Sequence, residues 1–213
     1  MRISIDCWGT LLKSSPTFST EKIELVNRYT SFVYSDKYIS ECFLLTKKTF
    51  NDIIENSGGC QPHIENIFIY FFTKLYGNYI SLNFIKEFIH DYQQLAIRSS
   101  PILYSDETID VIKKMSLHHE LIISSNTMLI SGNTLEICLN NVGLGKYFTH
   151  FNFSDRMGLA KPNKAMYSSS DYHIGDNTLT DSKGAEIAGS KPIIINSNEN
   201  TIQDAYNIIL QGR

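Results

Sequence analysis

The sequence has few of the features that mark secreted, nucleic-acid-binding or membrane proteins. Only 4 of its 213 residues are cysteines, Cys7, Cys42, Cys60 and Cys138, and no two of them form a C-x-x-C pair. Cysteines scattered in this way indicate reduced thiols rather than a zinc site or a disulfide framework. The net charge is −3, so no basic surface for nucleic acid is expected. No apolar run is long enough to cross a bilayer or serve as a signal peptide. We therefore expect a cytoplasmic protein without a membrane or nucleic-acid partner.

Two residue patterns alternate through much of the chain. Short runs rich in β-branched residues end in small or acidic residues, as in RISID, LIISSN, HFNFSD, YHIGDN and PIIIN. Runs of this kind are typical of strands that are buried on both faces of a parallel sheet. Helical patterns lie between them, for example where Ile109, Ile112 and Met115 share one face. The alternation predicts an α/β fold with a doubly wound parallel sheet.

A different, almost wholly helical pattern begins near Pro16. We predict helices over residues 19–34, 40–55, 62–76 and 82–99, with Ser35-Asp36 as the first break between them. In the third helix, Ile69, Phe72 and Leu75 have helical spacing and are expected to form a buried stripe. The predicted organisation is an α/β core of residues 1–15 and 101–213, interrupted by a helical insert over residues 16–100.

Polar side chains follow four of the predicted strands, and three of them are carboxylates. The residues are Asp6, then Ser125 and Asn126, then Lys161, and finally Asp176 and Asp181. Because the carboxyl ends of parallel strands face one crevice, we expect these side chains to lie together. Two like charges about 4 Å apart cost about 4 kcal/mol at an effective dielectric constant of 20. One lysine cannot offset three carboxylates, so the pattern predicts a bound divalent cation, and an oxygen-rich site that also holds phosphate suits Mg²⁺.

The turn after the first strand is expected to face the same crevice. Gly9 and Thr10 follow Asp6 closely. Their backbone N–H groups would point at phosphate oxygens, and Ser125 would donate a hydrogen bond from the opposite side.

Four segments, in order, resemble the four motifs of the haloacid dehalogenase-like (HAD) hydrolases. They are ISIDCWGTLL, LIISSN, LAKPNKAMY and HIGDNTLTD. The resemblance covers nearly the whole chain, and the helical insert lies between the first and second motifs, like the C1 cap of that family. It implies a Rossmann-like core, a mobile α-helical cap and, usually, Mg²⁺-dependent phosphoryl transfer through an aspartyl-phosphate.

The resemblance also implies catalytic roles for three of these residues. Asp6 would be the nucleophile, Ser125 would bind the phosphoryl oxygens, and Lys161 would neutralise charge on Asp6 and on the transferring group. The residues expected to contact a small phosphorylated substrate are Trp8, Gly9, Thr10, Ser125, Asn126 and Lys161.

The same resemblance implies a metal site. Mg²⁺ would be ligated by Asp6, by Asp176 and by the backbone carbonyl of Trp8. Asp181 would either support the metal or orient Lys161.

We expect the protein to act as a monomer or a homodimer.

Trp8 departs from the family pattern. Family phosphatases usually carry a second Asp there, which protonates the leaving group and later activates water. An acid/base group of this kind typically contributes about 10²–10⁴-fold to the rate. Trp8 retains a backbone carbonyl but removes that acid/base, so hydrolysis of unactivated phosphate esters should be slow.

Three interpretations of this departure stay open. The first is a phosphohydrolase or phosphotransferase whose substrate has a good leaving group, or whose acid comes from the substrate or from a residue of the insert such as His63 or His90. The second is a metal-independent 2-haloacid dehalogenase, since those relatives carry an aromatic residue at the position of Trp8. The third is a weak or inactive protein that binds a phosphorylated ligand or a protein partner. Asp176 favours the first, because dehalogenases tend to lack that acid.

Overall fold

The computed structural model describes residues 1–78, 80–196 and 200–212. Its strands are β1 (Arg2–Ile5), β2 (Leu12–Lys13), β3 (Ile102–Leu103), β4 (Glu120–Ser125), β5 (His150–Phe153), β6 (Tyr172–Gly175) and β7 (Lys191–Ile194). Its α-helices are α1 (Pro16–Tyr29), α2 (Asp36–Asn56), α3 (Ile64–Tyr76), α4 (Leu82–Arg98), α5 (Thr108–Ser116), α6 (Gly132–Asn141), α7 (Ser154–Met157), α8 (Gly184–Ile187) and α9 (Ile202–Gln211). Short 3₁₀ turns cover Gly145–Tyr147 and Lys164–Tyr167, and a π-helical turn covers Thr178–Lys183.

Five strands form one parallel sheet in the order β5-β4-β1-β6-β7. Ile5 of β1 pairs with Ile123 of β4 on one side and with Ile174 of β6 on the other. The chain starts at the centre, adds β4 and β5 on one side, and then crosses over to add β6 and β7 on the other. The predicted α/β fold with a doubly wound parallel sheet is therefore confirmed. This topology places the carboxyl end of β1 between those of β4 and β6, at the switch point where such sheets bind ligands.

The two faces of the sheet differ in polarity. Ile3 and Ile5 are fully buried in an apolar cluster that includes residues of α5, α6 and α9. Ser4, between them, points to the opposite face because side chains alternate along a strand. On that face its Oγ lies 2.7 Å from Nδ1 of His173, which is also fully buried. The strand that leads to Asp6 therefore has an apolar face and a hydrogen-bonded polar face.

The helical insert, α1–α4, has its own buried cluster and is joined to the core through β2 and β3, which pair antiparallel. Aromatic rings dominate this cluster. The ring of Phe72 lies 5.0 Å from that of Phe71 and 4.7 Å from that of Phe88, measured between centroids, in both cases nearly perpendicular to it. Edge-to-face contacts of this kind add to the stability gained from burial of apolar surface. Among the helices that the structure describes, none is both long enough and apolar enough to cross a membrane.

The buried face of α3 differs from the predicted stripe. Phe72 and Leu75 are buried as expected, but Ile69 is exposed. The helix instead buries Phe68 and Phe71, which lie three residues apart and share a face with Phe72 and Leu75. In a helix this rich in apolar residues, periodicity alone does not identify the buried face.

Two helices of the insert begin earlier than predicted, because each is capped by a serine that the prediction did not use as an N-cap. Ser15 accepts a hydrogen bond from the N–H of Phe18, so α1 begins at Pro16 rather than at residue 19. Ser35 accepts one from the N–H of Tyr38, so α2 begins at Asp36 rather than at residue 40. A serine that satisfies an unpaired N–H group in the first turn stabilises the start of a helix.

Candidate active site

Asp6 lies directly after the central strand. Its N–H donates to the carbonyl of Ile174 at 2.8 Å, so the pairing of β1 with β6 continues up to the aspartate. The side chain is buried at the edge of the sheet. The chain then turns sharply at Gly9, whose φ is +80°, a conformation that favours glycine. The position of the carboxylate therefore follows from the sheet itself rather than from a free loop.

The expected role of the Gly9 backbone is wrong. Its N–H donates to the carbonyl of Leu12 at 2.9 Å and closes the turn, so it does not point at a phosphate. Thr10 is buried, and its Oγ1 has no hydrogen-bond partner in the described part of the chain. Ser125 is buried at the carboxyl end of β4, beside β1. Binding of phosphate by Thr10 and Ser125 stays a prediction.

Lys161 joins two of the predicted carboxylates. Its ammonium donates to Oδ1 of Asp6 at 2.7 Å and to Oδ1 of Asp181 at 2.5 Å. The lysine is 1% exposed, so this charge is almost removed from water. Hydrogen bonds between charged groups at such distances are among the strongest in proteins. The structure thus brings Asp6, Lys161 and Asp181 together, as the order of the motifs predicts.

The side chain of Asn126 forms hydrogen bonds with both backbone polar groups of Lys161. Its Oδ1 accepts from the Lys161 N–H at 2.6 Å, and its Nδ2 donates to the Lys161 carbonyl at 2.9 Å. The side chain that follows β4 therefore positions the loop that carries the ammonium. Sequence analysis placed Asn126 at the site but missed this contact.

A buried chain of hydrogen bonds runs from Asp181 through His173 to Ser4. Nε2 of His173 lies 2.9 Å from Oδ1 of Asp181, and Nδ1 lies 2.7 Å from Oγ of Ser4. Burial lowers the pKa of His173, so the ring is neutral near pH 7. A neutral ring has one N–H, which donates to the carboxylate, and Nδ1 then accepts from Ser4. The contact of His173 with Ser4 depends on the register of β1 against β6, for which the sequence carries no signal.

Three carboxylates lie close enough together to hold a cation. Asp6, Asp176 and Asp181 each offer an oxygen, and these oxygens lie within 4.8 Å of one another. Asp181 is already engaged through Oδ1 with Lys161 and through Oδ2 with the N–H of Asn177 at 2.9 Å. Asp176 is exposed and lies against the turn, since a Cβ added to Gly9 would lie 2.2 Å from its Oδ2. Asp6 and Asp176 are therefore the carboxylates best placed for direct ligation.

The charges at the site are unbalanced. Burial raises the pKa of Asp6 to about 7, with the attraction of Lys161 opposing the rise and the charge of Asp181 adding to it. Burial and the charge of Asp181 also raise the pKa of Asp176. Burial alone would lower the pKa of Lys161, but contact with Asp181 and Asp6 raises it above its ordinary value. One ammonium does not compensate the carboxylates around it, and an all-oxygen donor set with excess negative charge fits a hard divalent cation such as Mg²⁺.

A cavity of about 260 Å³ lies between the core and the helical insert, and Asp6, Asp176 and Asp181 are not among the residues that line it. Trp8 and Asn126 line it from the core, and residues of the helical insert line it from α1, α2 and α4; the latter are Phe18, Lys22, Lys47, Asn51 and Tyr92. Trp8 also packs against the apolar core. The two histidines considered as acids, His63 and His90, are exposed and are not among the residues that line this cavity. Sequence analysis did not identify Lys22 or Lys47, because the packing of the insert on the core cannot be read from helical periodicity.

Comparison with proteins of known structure identifies the fold. No family model matches the chain, and no curated protein matches it. The structure is similar to that of the HAD-hydrolase YfnB from Bacillus subtilis bound to magnesium, with 17% identity, a TM-score of 0.74 and coverage of 98% of both chains. It is also similar to L-2-haloacid dehalogenase from Xanthobacter autotrophicus (14% identity, TM-score 0.61, covering 100% of this chain and 83% of that one). A third similar structure is the HAD phosphatase from Thermococcus onnurineus (17% identity, TM-score 0.60, covering 98% and 97%). These similarities establish the fold and include proteins of both reaction types.

Proposed function

We propose that this chain, which has the fold of the haloacid dehalogenase-like hydrolases, is a Mg²⁺-dependent phosphohydrolase that transfers a phosphoryl group to Asp6. The observation that carries the proposal is the cluster of Asp6, Asp176 and Asp181 around the single ammonium of Lys161. Such a site has oxygen ligands for a hard cation and one fixed positive charge for a phosphoryl oxygen. The ligand set would consist of Asp6 and Asp176, together with the backbone carbonyl of Trp8.

The chemistry divides into two displacements at phosphorus. In the first, a carboxylate oxygen of Asp6 attacks phosphorus, the bond to the leaving oxygen breaks, and that oxygen keeps the electron pair and departs as a phenolate or carboxylate anion. In the second, water attacks the phosphorus of the aspartyl-phosphate, the bond to the Asp6 oxygen breaks, and both protons of the water leave on dihydrogen phosphate, which restores the Asp6 carboxylate. Lys161 holds its proton throughout and offsets charge at Asp6, while Asp181 keeps the ammonium in place. Bound Mg²⁺ would supply further neutralisation of charge between nucleophile and phosphate.

Trp8 limits the substrates that this site can use. An indole cannot protonate a leaving group, and neither exposed histidine of the insert lines the cavity. We therefore propose small phosphorylated substrates whose leaving group is stable without a proton, such as acyl or aryl phosphates. The helical insert would act as a cap that closes over the substrate and excludes water. In support, the structure of YfnB, which is similar to this one, reveals interdomain movement.

A 2-haloacid dehalogenase is the second candidate, and two observations favour it. Trp8 is aromatic and lines the cavity, and the L-2-haloacid dehalogenase from Xanthobacter autotrophicus has a similar structure. In that reaction Asp6 would attack carbon without a metal. Asp176 weighs against it, because this acid brings an additional negative charge to the site without a lysine of its own.

Two assays on the same preparation distinguish the candidates. Phosphate release from 4-nitrophenyl phosphate is measured with Mg²⁺ and with a chelator, and halide release is measured from 2-chloropropionate. Metal-dependent phosphate release supports the proposal. Halide release that persists in the chelator supports the dehalogenase. Absence of both activities, together with specific binding of a phosphorylated ligand or a protein partner, favours a weak or inactive binding protein.

A further inference from the structure

Two lysines of the helical insert line the cavity beside Trp8. Lys22 comes from α1 and Lys47 from α2. In the part of the chain that the structure describes, neither forms an ion pair with a carboxylate within 4.0 Å. Lys22 has one aromatic contact, with its Nζ 5.3 Å from the ring centroid of Phe43. Among the described residues, the cavity wall therefore has two cations, and no carboxylate lies within 4.0 Å of either.

Two positive charges in one cavity wall are unfavourable unless an anion balances them. Burial lowers the pKa of Lys22, and the nearby positive charge of Lys47 lowers it further. Lys22 is half-buried, whereas Lys47 is exposed like its neighbour Lys48 but, unlike Lys48, lines the cavity. An anion held between Lys22 and Lys47 would remove the repulsion and gain charge-assisted hydrogen bonds.

The phosphoryl group is not the best candidate for that anion. Its binding site is already provided by Lys161 and the carboxylate cluster at the sheet edge. Asn126 connects the two places, since it lines the cavity and also hydrogen-bonds both backbone groups of Lys161. A ligand whose phosphate lies at Asp6 would thus extend past Asn126 towards the lysines. Trp8 and Tyr92 would flank its carbon skeleton.

We propose that Lys22 and Lys47 bind a second anionic group of the substrate, a carboxylate or a second phosphate, at the end opposite the transferred phosphoryl group. The assignment rests on the proposed function for the phosphoryl end of the ligand. It defines the substrate class as small phosphate esters or anhydrides that carry two anionic ends, and it makes the insert the part of the protein that selects them.

Non-hydrolysable ligands test the lysines without requiring turnover. The affinity of the full chain with Mg²⁺ is measured by titration calorimetry for 4-(phosphonomethyl)benzoate, for 1,4-phenylenebis(methylphosphonate) and for 4-(phosphonomethyl)benzamide. The three share a phosphonate and a phenyl ring, and only the amide lacks the second charge. Because a hydrogen bond to a charged group contributes about 1.5–3 kcal/mol, we expect at least one charged ligand to bind about 10-fold or more tightly than the amide. Tighter binding of the benzoate indicates a site for a carboxylate, and tighter binding of the bisphosphonate indicates a site for a second phosphate.

Variants then assign the preference to the lysines. Lys22→Met and Lys47→Met keep the alkyl stem and should reduce the preference for the charged ligand several-fold, whereas Lys22→Arg and Lys47→Arg should retain it. Lys48→Met is the matched control and should behave as wild type. Equal affinity for all three ligands, no binding of any of them, or a preference that survives in both Met variants would overturn the proposal.

A parallel assay separates this inference from the proposed function. Phosphate release is measured from the matching esters, 4-carboxyphenyl phosphate and 4-carbamoylphenyl phosphate; the amide is the better leaving group, so chemistry alone favours it. A binding preference without phosphate release would contradict the proposed function and support the assignment of the lysines. Phosphate release without any preference in binding would support the proposed function and contradict the assignment of the lysines.

Discussion

The ammonium of Lys161 lies 2.7 Å from Oδ1 of Asp6, and only 2% and 9% of the two side chains are exposed. The same ammonium binds Asp181, so its removal would leave two buried carboxylates without a cation. Loss of one partner from a buried ion pair typically destabilises a protein by about 3–5 kcal/mol. We predict a loss of that size in the free energy of unfolding of Lys161→Met, measured by urea denaturation without Mg²⁺. Lys164→Met, at an exposed position of the same loop, is the control, and equal stability of the two variants would show that the pair contributes little.

Gly9→Ala tests the contact between the first turn and Asp176. A non-glycine residue at positive φ costs about 1–2 kcal/mol, and the new methyl group would also displace the Asp176 carboxylate. Gly77→Ala is matched to it, because Gly77 has a φ of +71° but nothing within 4 Å of the added Cβ. Both variants should therefore unfold at lower denaturant concentration. Weaker Mg²⁺ binding is expected in Gly9→Ala alone, and similar Mg²⁺ affinity in the two would refute the contact's role.

Stabilisation by Mg²⁺ gives a test of the metal site that needs no substrate. A ligand at 100 times its dissociation constant stabilises the folded state by about 2.7 kcal/mol. We predict that Mg²⁺ raises the melting temperature of the wild type, and that Asp176→Asn loses most of this increase. Asp106→Asn, at an exposed acidic position before α5, should respond to Mg²⁺ as the wild type does. A melting temperature that is independent of Mg²⁺ in all three proteins would mean that the cluster holds no such ion.

Trp8→Asp tests whether the missing acid limits the reaction. A carboxylic acid at this position could protonate a poor leaving group, and acid/base groups contribute about 10²–10⁴-fold. We expect a rise of about 10-fold or more in the ratio of activity on phenyl phosphate to activity on 4-nitrophenyl phosphate. Trp8→Phe keeps an aromatic wall without an acid and should leave the ratio near that of the wild type. An equal ratio in all three proteins would argue that the leaving group already receives its proton elsewhere.

The core could be predicted from the sequence because its signals are strong and local. Strands buried on both faces give continuous apolar runs, and Asp6, Ser125 and Asp176 lie at or next to the end of such a run, while Lys161 lies in the loop that follows β5. The parallel topology then brings them to one edge whatever the exact lengths of the connections. For this reason the contact between Lys161 and Asp6 follows from the order of the motifs, although they are far apart in sequence.

Other parts of the site depend on geometry that the sequence does not encode locally. The bond from His173 to Ser4 requires the register of β6 against β1, and the bond from His173 to Asp181 requires the path of the turn that follows β6. The place of Lys22 and Lys47 in the cavity wall depends on how the insert packs on the core, and the exposure of Ile69 shows that helical spacing did not determine that packing. The early starts of α1 and α2 had a local signal, a serine before each helix, but only Ser35 entered the prediction, where it was read as a break.

The most direct test of the account is detection of the phosphoryl group on Asp6. The protein is mixed with 4-nitrophenyl phosphate and Mg²⁺, quenched in acid during turnover, and its peptides are analysed by mass spectrometry. We predict a phosphorylated peptide that contains Asp6, formed only with Mg²⁺, and the loss of both this peptide and phosphate release in Asp6→Asn. Phosphate release that continues in Asp6→Asn would contradict the account.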